Sequence, residues 1–378
     1  MKSVLFINYE YPPVGAGAAN ANYNIAVSMA AKGFRVSVLT SAFKSQRGLS
    51  SENGVSVYRV PALRKNAGQS SLMQMLAYDI SALLHLSSVL KDEKPDAAVV
   101  FFSIPCGPIG LFLRHFYKVP YHLLLRGGDV PGFEAKVNLI HRILRPLRRL
   151  IYKKSRTIIA NSEGLRDLAL KADPGFDIKI INNGVDTDFF FPSVEKQNDP
   201  FVFLFAGRFC EQKNLGILLK AFSKINCKYK ETRLILLGDG PSRKSLENLA
   251  ESLNVSNSIR WVNWCSKEKL RSYYQTSHCF INPSINEGMS NAVLEAMACG
   301  LPVLGGDCIG NREIIFNGEN GFLFNPQNST ELSERMRLFV EDRNCGRQMG
   351  EKGREICRER FSWPALTDQL ISLINTGD

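Results

Sequence analysis

A strand-then-helix alternation runs along this chain, breaks once and starts again, and no other feature narrows its fold so far. In the first half, short β-branched and apolar runs at 4–8, 36–40, 55–60, 97–102, 121–125, 157–160 and 178–181 are interleaved with helical patterns at 20–32, 72–90 and 163–171. The polar, proline-bounded stretch 192–200, PSVEKQNDP, interrupts the pattern. It resumes with strands at 201–206, 234–237, 259–262, 279–282 and 302–304 and helices at 215–225, 243–253, 267–275 and from Asn291 onward. Strands separated by helices cannot pair through tight turns, so they build βαβ units and a parallel sheet. Two such runs within 378 residues predict two doubly wound, Rossmann-like α/β domains, 1–191 and 201–360, with 192–200 as linker. The expected arrangement has the domains facing each other across a cleft, with ligands at the carboxyl ends of the strands.

Composition and cysteine spacing exclude several classes of protein. Hydrophobic residues at 44% and charged residues at 22% fit a globular chain, and nine scattered cysteines without a C-x-x-C pair fit neither a disulfide framework nor a structural zinc site. The short apolar run before Asn8 suits a buried first strand and is too short for a secretory leader. The apolar segment 97–116 is interrupted by Pro105, Gly107, Pro108 and Gly110, which predicts strand, turn and helix in place of a membrane span. A cytoplasmic protein is expected.

Charge is unevenly placed. Residues 1–198 hold 25 Lys and Arg against 15 Asp and Glu, whereas 199–378 hold 22 against 21. Eight of the basic residues lie in 136–156, which has no acid. There Leu139, Ile140, Ile143, Leu144, Leu147, Leu150 and Ile151 follow helical spacing on one face, and Arg142, Arg145, Arg149 and Lys153 occupy another, with a possible kink at Pro146. Such a helix either meets an anionic membrane surface or acceptor, or packs its apolar face on the core and leaves a solvated basic face. Tyr152 is its single aromatic, so nucleic acid is not the expected partner.

The densest chemistry lies in 281–300, INPSINEGMSNAVLEAMACG. Glu287 sits in the loop before the helix and Glu295 inside it. Gly288 lets a ligand approach the backbone, and Ser290 and Asn291 are suited to cap the helix start. Free N–H groups and the positive dipole end make such a start an anion site, with phosphate the foremost anion, and leave Glu295 to accept hydrogen bonds from hydroxyls. The plain alternative makes both glutamates ordinary surface acids. After the strand at 201–206, Arg208 and Lys213 set two cations facing this anion site, and LILLGDGPS places Gly238 and Gly240 as backbone fit for a nucleobase. The first βα turn carries Gly15 and Gly17, but the third glycine of a dinucleotide fingerprint falls at Asn20 and no acid ends the second strand, which disfavours NAD.

These motifs, together with Asn183-Gly184-Val185-Asp186, Phe190, Pro192 and Phe361-Ser362-Trp363, resemble the retaining glycosyltransferases of the GT-B fold, family 4, over nearly the whole chain. The resemblance implies that Glu287, Gly288, Met289, Ser290, Asn291 and Glu295 hold a nucleotide-sugar donor, with Glu287 on the sugar hydroxyls and the developing charge. It also implies that Arg208 and Lys213 neutralise the leaving nucleoside diphosphate and that Gly15 and Gly17 bring backbone near the donor phosphate. The segment 361–378 would be a helix crossing back to the first domain. No metal and no cofactor are implied. At the cleft loop many relatives have His-Gly-x-Asp, whereas this chain has Arg126-Gly127-Gly128-Asp129. Arg126 is therefore an acceptor-side candidate. Asp129 either receives a hydroxyl proton or orients a sugar, or else pairs with Arg126 and does no chemistry. The expected activity is transfer of a sugar to a hydroxyl of a glycan or lipid-linked acceptor in cell-surface polysaccharide or glycolipid synthesis, in the cytoplasm, and at the inner face of the membrane if 136–156 meets anionic lipid. A nucleotide-sugar epimerase of the same fold and a non-catalytic nucleotide-sugar-binding protein are the alternatives.

Overall fold

A computed structural model describes residues 2–15, 17–64, 66, 70–133, 138–193 and 199–376. The chain divides into two compact units, Met1–Asn183 with Trp363–Asp378, and Gly184–Ser362. The division falls ahead of the polar stretch 192–200. The Val185 N–H donates to the Phe361 carbonyl at 2.8 Å, and Phe190 packs edge-on against Tyr274, which ties this segment to the second unit. Residues 194–198 of the stretch lie outside the described residues.

The first unit contains strands β1 (Ser3–Ile7), β2 (Arg35–Ser41), β3 (Gly48–Glu52), β4 (Val55–Val60), β5 (Ala97–Phe101), β6 (Tyr121–Leu125), β7 (Thr157–Ala160) and β8 (Ile178–Ile180). They form one sheet in the order β3-β4-β2-β1-β5-β6-β7-β8. β1, β5 and β6 are buried along their whole length, as parallel strands covered on both faces must be, which is why they read as unbroken apolar runs. All pairs are parallel except β3 with β4. β3, sequence GLSSE, is an exposed edge strand without apolar alternation, so periodicity does not reveal it. Helix Leu72–Glu93 begins at a capping box between Ser71 and Gln74 and ends at Lys94 in the left-handed conformation. The interrupted segment 97–116 resolves into β5, helix Gly107–Phe112 and a π-helical turn Leu113–Tyr117. Among the described residues no helix is long and apolar enough to cross a membrane. The last helix, Trp363–Asn375, joins this unit's core through Trp363, Leu366, Leu370 and Ile374, one helical stripe.

The second unit is a six-stranded, all-parallel sheet of β9 (Phe201–Ala206), β10 (Thr232–Leu237), β11 (Ile259–Val262), β12 (Cys279–Asn282), β13 (Val303–Gly306) and β14 (Gly321–Phe324), in the order β11-β10-β9-β12-β13-β14. In each unit the strand order reverses once, between β1 and β5 and between β9 and β12. In an open α/β sheet the two loops leaving such a point diverge and open a crevice at the carboxyl edge.

The basic stretch is not one amphipathic helix. Lys136 lies outside the described residues, and the remainder forms Asn138–Ile143 and Arg145–Lys154, with Pro146 in the first turn of the second helix in place of a kink. Its apolar residues divide between two faces. Ile151 is buried and Leu147 packs on the core, whereas Leu139, Ile143 and Leu150 are exposed. The missing acid comes from elsewhere in the chain. Asp173 accepts from the buried Arg148 Nε at 2.6 Å and from Arg145 Nε at 3.2 Å, with Arg149 at 3.6 Å.

Candidate active site

The reversal in the second unit lies between β9 and β12, and the loops that leave those strands are fastened together. Gln212 Nε2 donates to the Asn286 carbonyl at 2.6 Å, and the Ile285 N–H donates to the Gln212 carbonyl at 3.1 Å. At the centre the Lys213 ammonium is paired with Glu287, two residues that are 74 apart in the chain. The Glu287 carboxylate also faces the Ser284 hydroxyl at 3.1 Å, which in turn meets Asn282 Oδ1 at 2.8 Å, and Asn282 Nδ2 donates to Asn311 Oδ1 at 2.9 Å. Asn282, Ser284 and Asn311 are all buried. Buried amides and hydroxyls that satisfy one another hold a loop in a single conformation. A lysine ammonium has three N–H donors, so the ion pair leaves donors on Lys213 for a further acceptor. Arg208, in the same loop, is exposed, and its guanidinium makes no hydrogen bond or ion pair among the described residues, although its carbonyl accepts from the Cys210 N–H at 3.1 Å.

Close backbone approach shapes this crevice. A Cβ on Gly310 would lie 1.7 Å from the Gly288 carbonyl oxygen, and one on Gly306 would lie 2.5 Å from that of Ser284. These glycines let β13 and the turn after it press against the Glu287 loop. Gly288 itself has open space where a side chain would be. Gly238 and Gly240 serve the chain's own packing. Their Cβ positions fall 1.9 Å and 2.3 Å from the carbonyl oxygens of Gly207 and Phe209, which keeps the loop after β10 against the loop after β9. The Met289 side chain is buried in the core, so the residue reaches the crevice by its backbone.

Ser290 occupies the N-cap of helix Asn291–Ala298, but its side chain makes no capping hydrogen bond. The first-turn N–H groups are therefore not taken up by the Ser290 hydroxyl. Glu295, one turn further in, accepts from the buried Tyr274 hydroxyl at 3.0 Å. Burial pushes its pKa up to about 7 against the lowering effects of that bond and of Lys267. Both Tyr274 and the Asn282–Ser284–Asn311 support escape motif reading, although a polar residue ending the otherwise apolar β12, CFIN, is a visible signal. A D-x-D triplet, Asp186-Thr187-Asp188, also goes unread by the metal-independent expectation. Here Asp186 Oδ1 accepts from the N–H groups of Asp188 at 3.1 Å and Phe189 at 2.9 Å, which is a local turn. Among the described residues no group of three or more His, Cys, Asp or Glu could hold a metal ion.

In the first unit, the loop after β6 is built around Asp129. Its carboxylate accepts from the N–H groups of Ser103 at 2.7 Å, Arg126 at 3.0 Å and Gly127 at 3.2 Å, and the residue is buried. Asp129 bonds the Arg126 backbone rather than its guanidinium, and it staples two loops together. Gly127, at φ +115°, permits the turn. The Arg126 guanidinium lies over Phe101, with its carbon 4.7 Å from the ring centroid, and Nη1 donates to Asn183 Oδ1 at 3.0 Å. Its buried Nε has no partner among the described residues, and burial lowers its pKa to about 10 despite Asp129. In the loop after β1, Gly15 has φ +93° and passes within 2.6 Å of Glu10 Oε2 at its Cβ position; Gly17 is the first residue of helix Gly17–Ala31.

Two parallel doubly wound α/β units, the second with paired cation and carboxylate loops at its strand reversal, define a GT-B fold. The family model for glycosyl transferases group 1 matches residues 186–356, and that for Glycosyltransferase Family 4 matches residues 15–189. The chain belongs to this glycosyltransferase family. It is 27% identical over 315 residues to an uncharacterised glycosyltransferase of Methanocaldococcus jannaschii, covering 82% of this chain and 81% of the relative. In structure it is similar to sucrose-phosphate synthase from Thermosynechococcus elongatus, with a TM-score of 0.82 and 19% identity over 100% of this chain and 99% of that one. It is also similar to Anabaena HepE in complex with UDP-glucose, with a TM-score of 0.73 and 19% identity over 99% of each chain. Identities this low speak to fold alone.

Proposed function

We propose that the protein is a retaining glycosyltransferase that moves a sugar from a nucleoside-diphosphate sugar to a hydroxyl of a glycan or lipid-linked acceptor, without a metal ion. The observation that carries this reading is the Lys213–Glu287 pair at the strand reversal of the second unit, beside the start of helix Asn291–Ala298. Breaking a sugar–phosphate bond places positive charge on the sugar ring and negative charge on the departing diphosphate, so fixed cations and N–H donors must meet the latter. Arg208, the remaining Lys213 donors and the first turn of helix Asn291–Ala298 take the diphosphate, with open space for it at Gly288. Glu287, held by Lys213 and Ser284, takes the donor-sugar hydroxyls. Glu295 takes the ribose hydroxyls on the carboxylate capacity that Tyr274 leaves open, and the loop at Gly238 borders the base. The Anabaena protein crystallised with UDP-glucose supports a donor of this class. On the acceptor side, the buried guanidinium of Arg126 favours an anionic group.

The test is acceptor-dependent release of nucleoside diphosphate across a panel of UDP-, GDP- and ADP-sugars, with the product's anomeric configuration read by NMR. Retention with undiminished rate after dialysis against EDTA is expected. Inversion, or loss on chelation restored by magnesium or manganese, would overturn the mechanism. Epimer formation without acceptor would favour the epimerase, and binding without release the non-catalytic protein.

Glu295 makes this donor site pH-sensitive. The hydroxyls must donate to a carboxylate, and a group with a pKa near 7 loses that form as pH falls. The donor KM is expected to rise by up to about tenfold between pH 8 and pH 6, in proportion to the ionised fraction, while Glu295→Gln gives a higher, flat KM. A flat wild-type profile would remove Glu295 from the donor site. The sign for folding is opposite. A pKa raised in the folded state means proton uptake on folding, so this group's contribution to stability is present at acid pH and is lost as pH rises toward 7.

The enzyme is further proposed to work at the cytoplasmic face of a membrane bearing anionic lipid. The exposed Leu139, Ile143 and Leu150 are interleaved with exposed Arg142 and Lys153, a mixture suited to an interface. Co-sedimentation with anionic vesicles should be strong at low salt and weak at high salt. It should be largely lost when Leu139 and Ile143 become serine and Arg142 and Lys153 become glutamine. Equal sedimentation of both proteins would refute it.

A further inference from the structure

We infer that a cavity at the amino edge of the first unit's sheet, where His122, Lys2 and Arg156 meet the end of the last helix, binds a small soluble phosphorylated polyol or sugar. The edge is opposite to the one that carries Arg126 and Asp129, since His122 is near the start of β6 and Arg126 follows its end. The cavity has a volume of about 440 Å³, within the range of small-molecule sites. Val4 and Ile374 supply apolar wall, and Lys2, Asp96, His122 and Arg156 the polar lining.

His122 is the unusual member. It is buried, its Nδ1 is hydrogen-bonded with the Thr157 hydroxyl, and its buried Nε2 has no partner among the described residues. A buried ring nitrogen without a partner is uncommon. Burial and the nearby Arg156 charge push its pKa down to about 4, so the ring is neutral at ordinary pH. In the tautomer whose Nδ1 accepts from the Thr157 hydroxyl, Nε2 carries the proton, just beneath the surface of the cavity that His122 lines. Arg156 is exposed and its guanidinium has no hydrogen-bond or ion-pair partner among the described residues. Lys2 Nζ reaches Asn375 Oδ1 at 3.0 Å in the last helix. Two cations beside a neutral imidazole suit a phosphate. Asp96 argues against a bare anion. One of its oxygens accepts from the Ser3 N–H at 2.7 Å, and its remaining acceptor capacity suits a ligand hydroxyl. Phosphate and hydroxyls on one small molecule answer both halves of the lining. Such a ligand would also hold the last turn of helix Trp363–Asn375 on the sheet.

The experiment follows the ring signals of the five histidines in the full-length protein by proton–carbon NMR, with His122 assigned by its loss in His122→Gln. Glycerol 3-phosphate is the probe, with inorganic phosphate and glycerol as its separate halves. The expected result is a saturable shift of the His122 signal and a raised His122 pKa, weaker with inorganic phosphate and absent with glycerol. Arg156→Gln, melting as wild type, should weaken the apparent affinity by about tenfold, the loss of one charge-assisted contact. The inference is overturned by the absence of a saturable shift, by equal affinity in Arg156→Gln, or by inorganic phosphate or glycerol matching the ester. Vesicles containing phosphatidic acid separate a lipid headgroup from a soluble ligand: a shift seen with vesicles alone would also overturn it.

Discussion

Lys213→Ala is expected to lower kcat/KM for sugar transfer by about 100-fold or more, the usual loss when one preorganised donor to a developing anion is removed. The effect has two parts that the structure makes separable. The ammonium pairs with Glu287, so its removal leaves that carboxylate with the Ser284 hydroxyl as its remaining contact at the crevice. It also removes the donors proposed to face the diphosphate. If Lys213 served only to hold Glu287, then Lys213→Ala, Glu287→Gln and the double variant would all lose the same rate, because groups acting as one unit are not additive. If it also meets the diphosphate, the double variant falls further than either. Both side chains are partly exposed, so melting temperature should change little and the loss is kinetic. Arg208→Ala, with no protein partner to release, should lose rate without altering the Glu287 loop. Unchanged turnover in both Lys213→Ala and Arg208→Ala would remove the clamp from the mechanism.

Asp173→Ala is expected to be the most damaging single change to stability. Arg148 is buried with it, and Arg148 Nε donates to it at 2.6 Å, while Arg148 Nη1 donates to the His141 carbonyl at 3.0 Å. Without the carboxylate, a guanidinium is left in the interior with one carbonyl for company, and the half-exposed Arg145 and Arg149 add like charge beside it. Breaking one partner of a buried pair costs about 3–5 kcal/mol, which for a unit of this size lowers the melting temperature by roughly 10 °C. Asp173→Asn, which keeps an acceptor, should fall between. Calorimetry of the two variants checks this, and a drop of under about 1 kcal/mol would show that Arg148 finds water or another acceptor. The same pairing bears on the membrane proposal. Arg145 and Arg149 are tied to Asp173, whereas Arg142 and Lys153 have no ion pair among the described residues.

Much of the architecture is legible in order of residues because each element carries its own signal. The apolar runs SVLFI, AAVVF and YHLLL can be satisfied only between two covering layers, and their alternation with helical patterns admits only parallel pairing. The stripe Trp363, Leu366, Leu370 and Ile374 shows that the last segment is a helix with one face to bury. Edge strand β3, mostly exposed, carries no such signal, and the division at Asn183–Gly184 depends on contacts made by Val185 with Phe361, which no local pattern records.

By itself, then, the sequence determined two α/β units and the candidates Arg208, Lys213, Glu287 and Glu295, because residue type, strand ends and helix starts are local properties, while Arg126 and Asp129 stood out only through the family resemblance. Only the tertiary structure decided what those residues do to one another. Lys213 meets Glu287 across 74 residues because β9 and β12 are neighbours at a strand reversal. Gly310 is required because a backbone carbonyl 22 residues earlier lies where its Cβ would be. Asp129 becomes a staple because three N–H groups, one of them from the loop after β5, converge on it. The acid that answers a helix of arginines arrives from the end of the next helix, as Asp173. Hydrogen bonds and ion pairs act over a few ångströms in space, and the chain order of two groups says nothing of that distance until the sheet has set it.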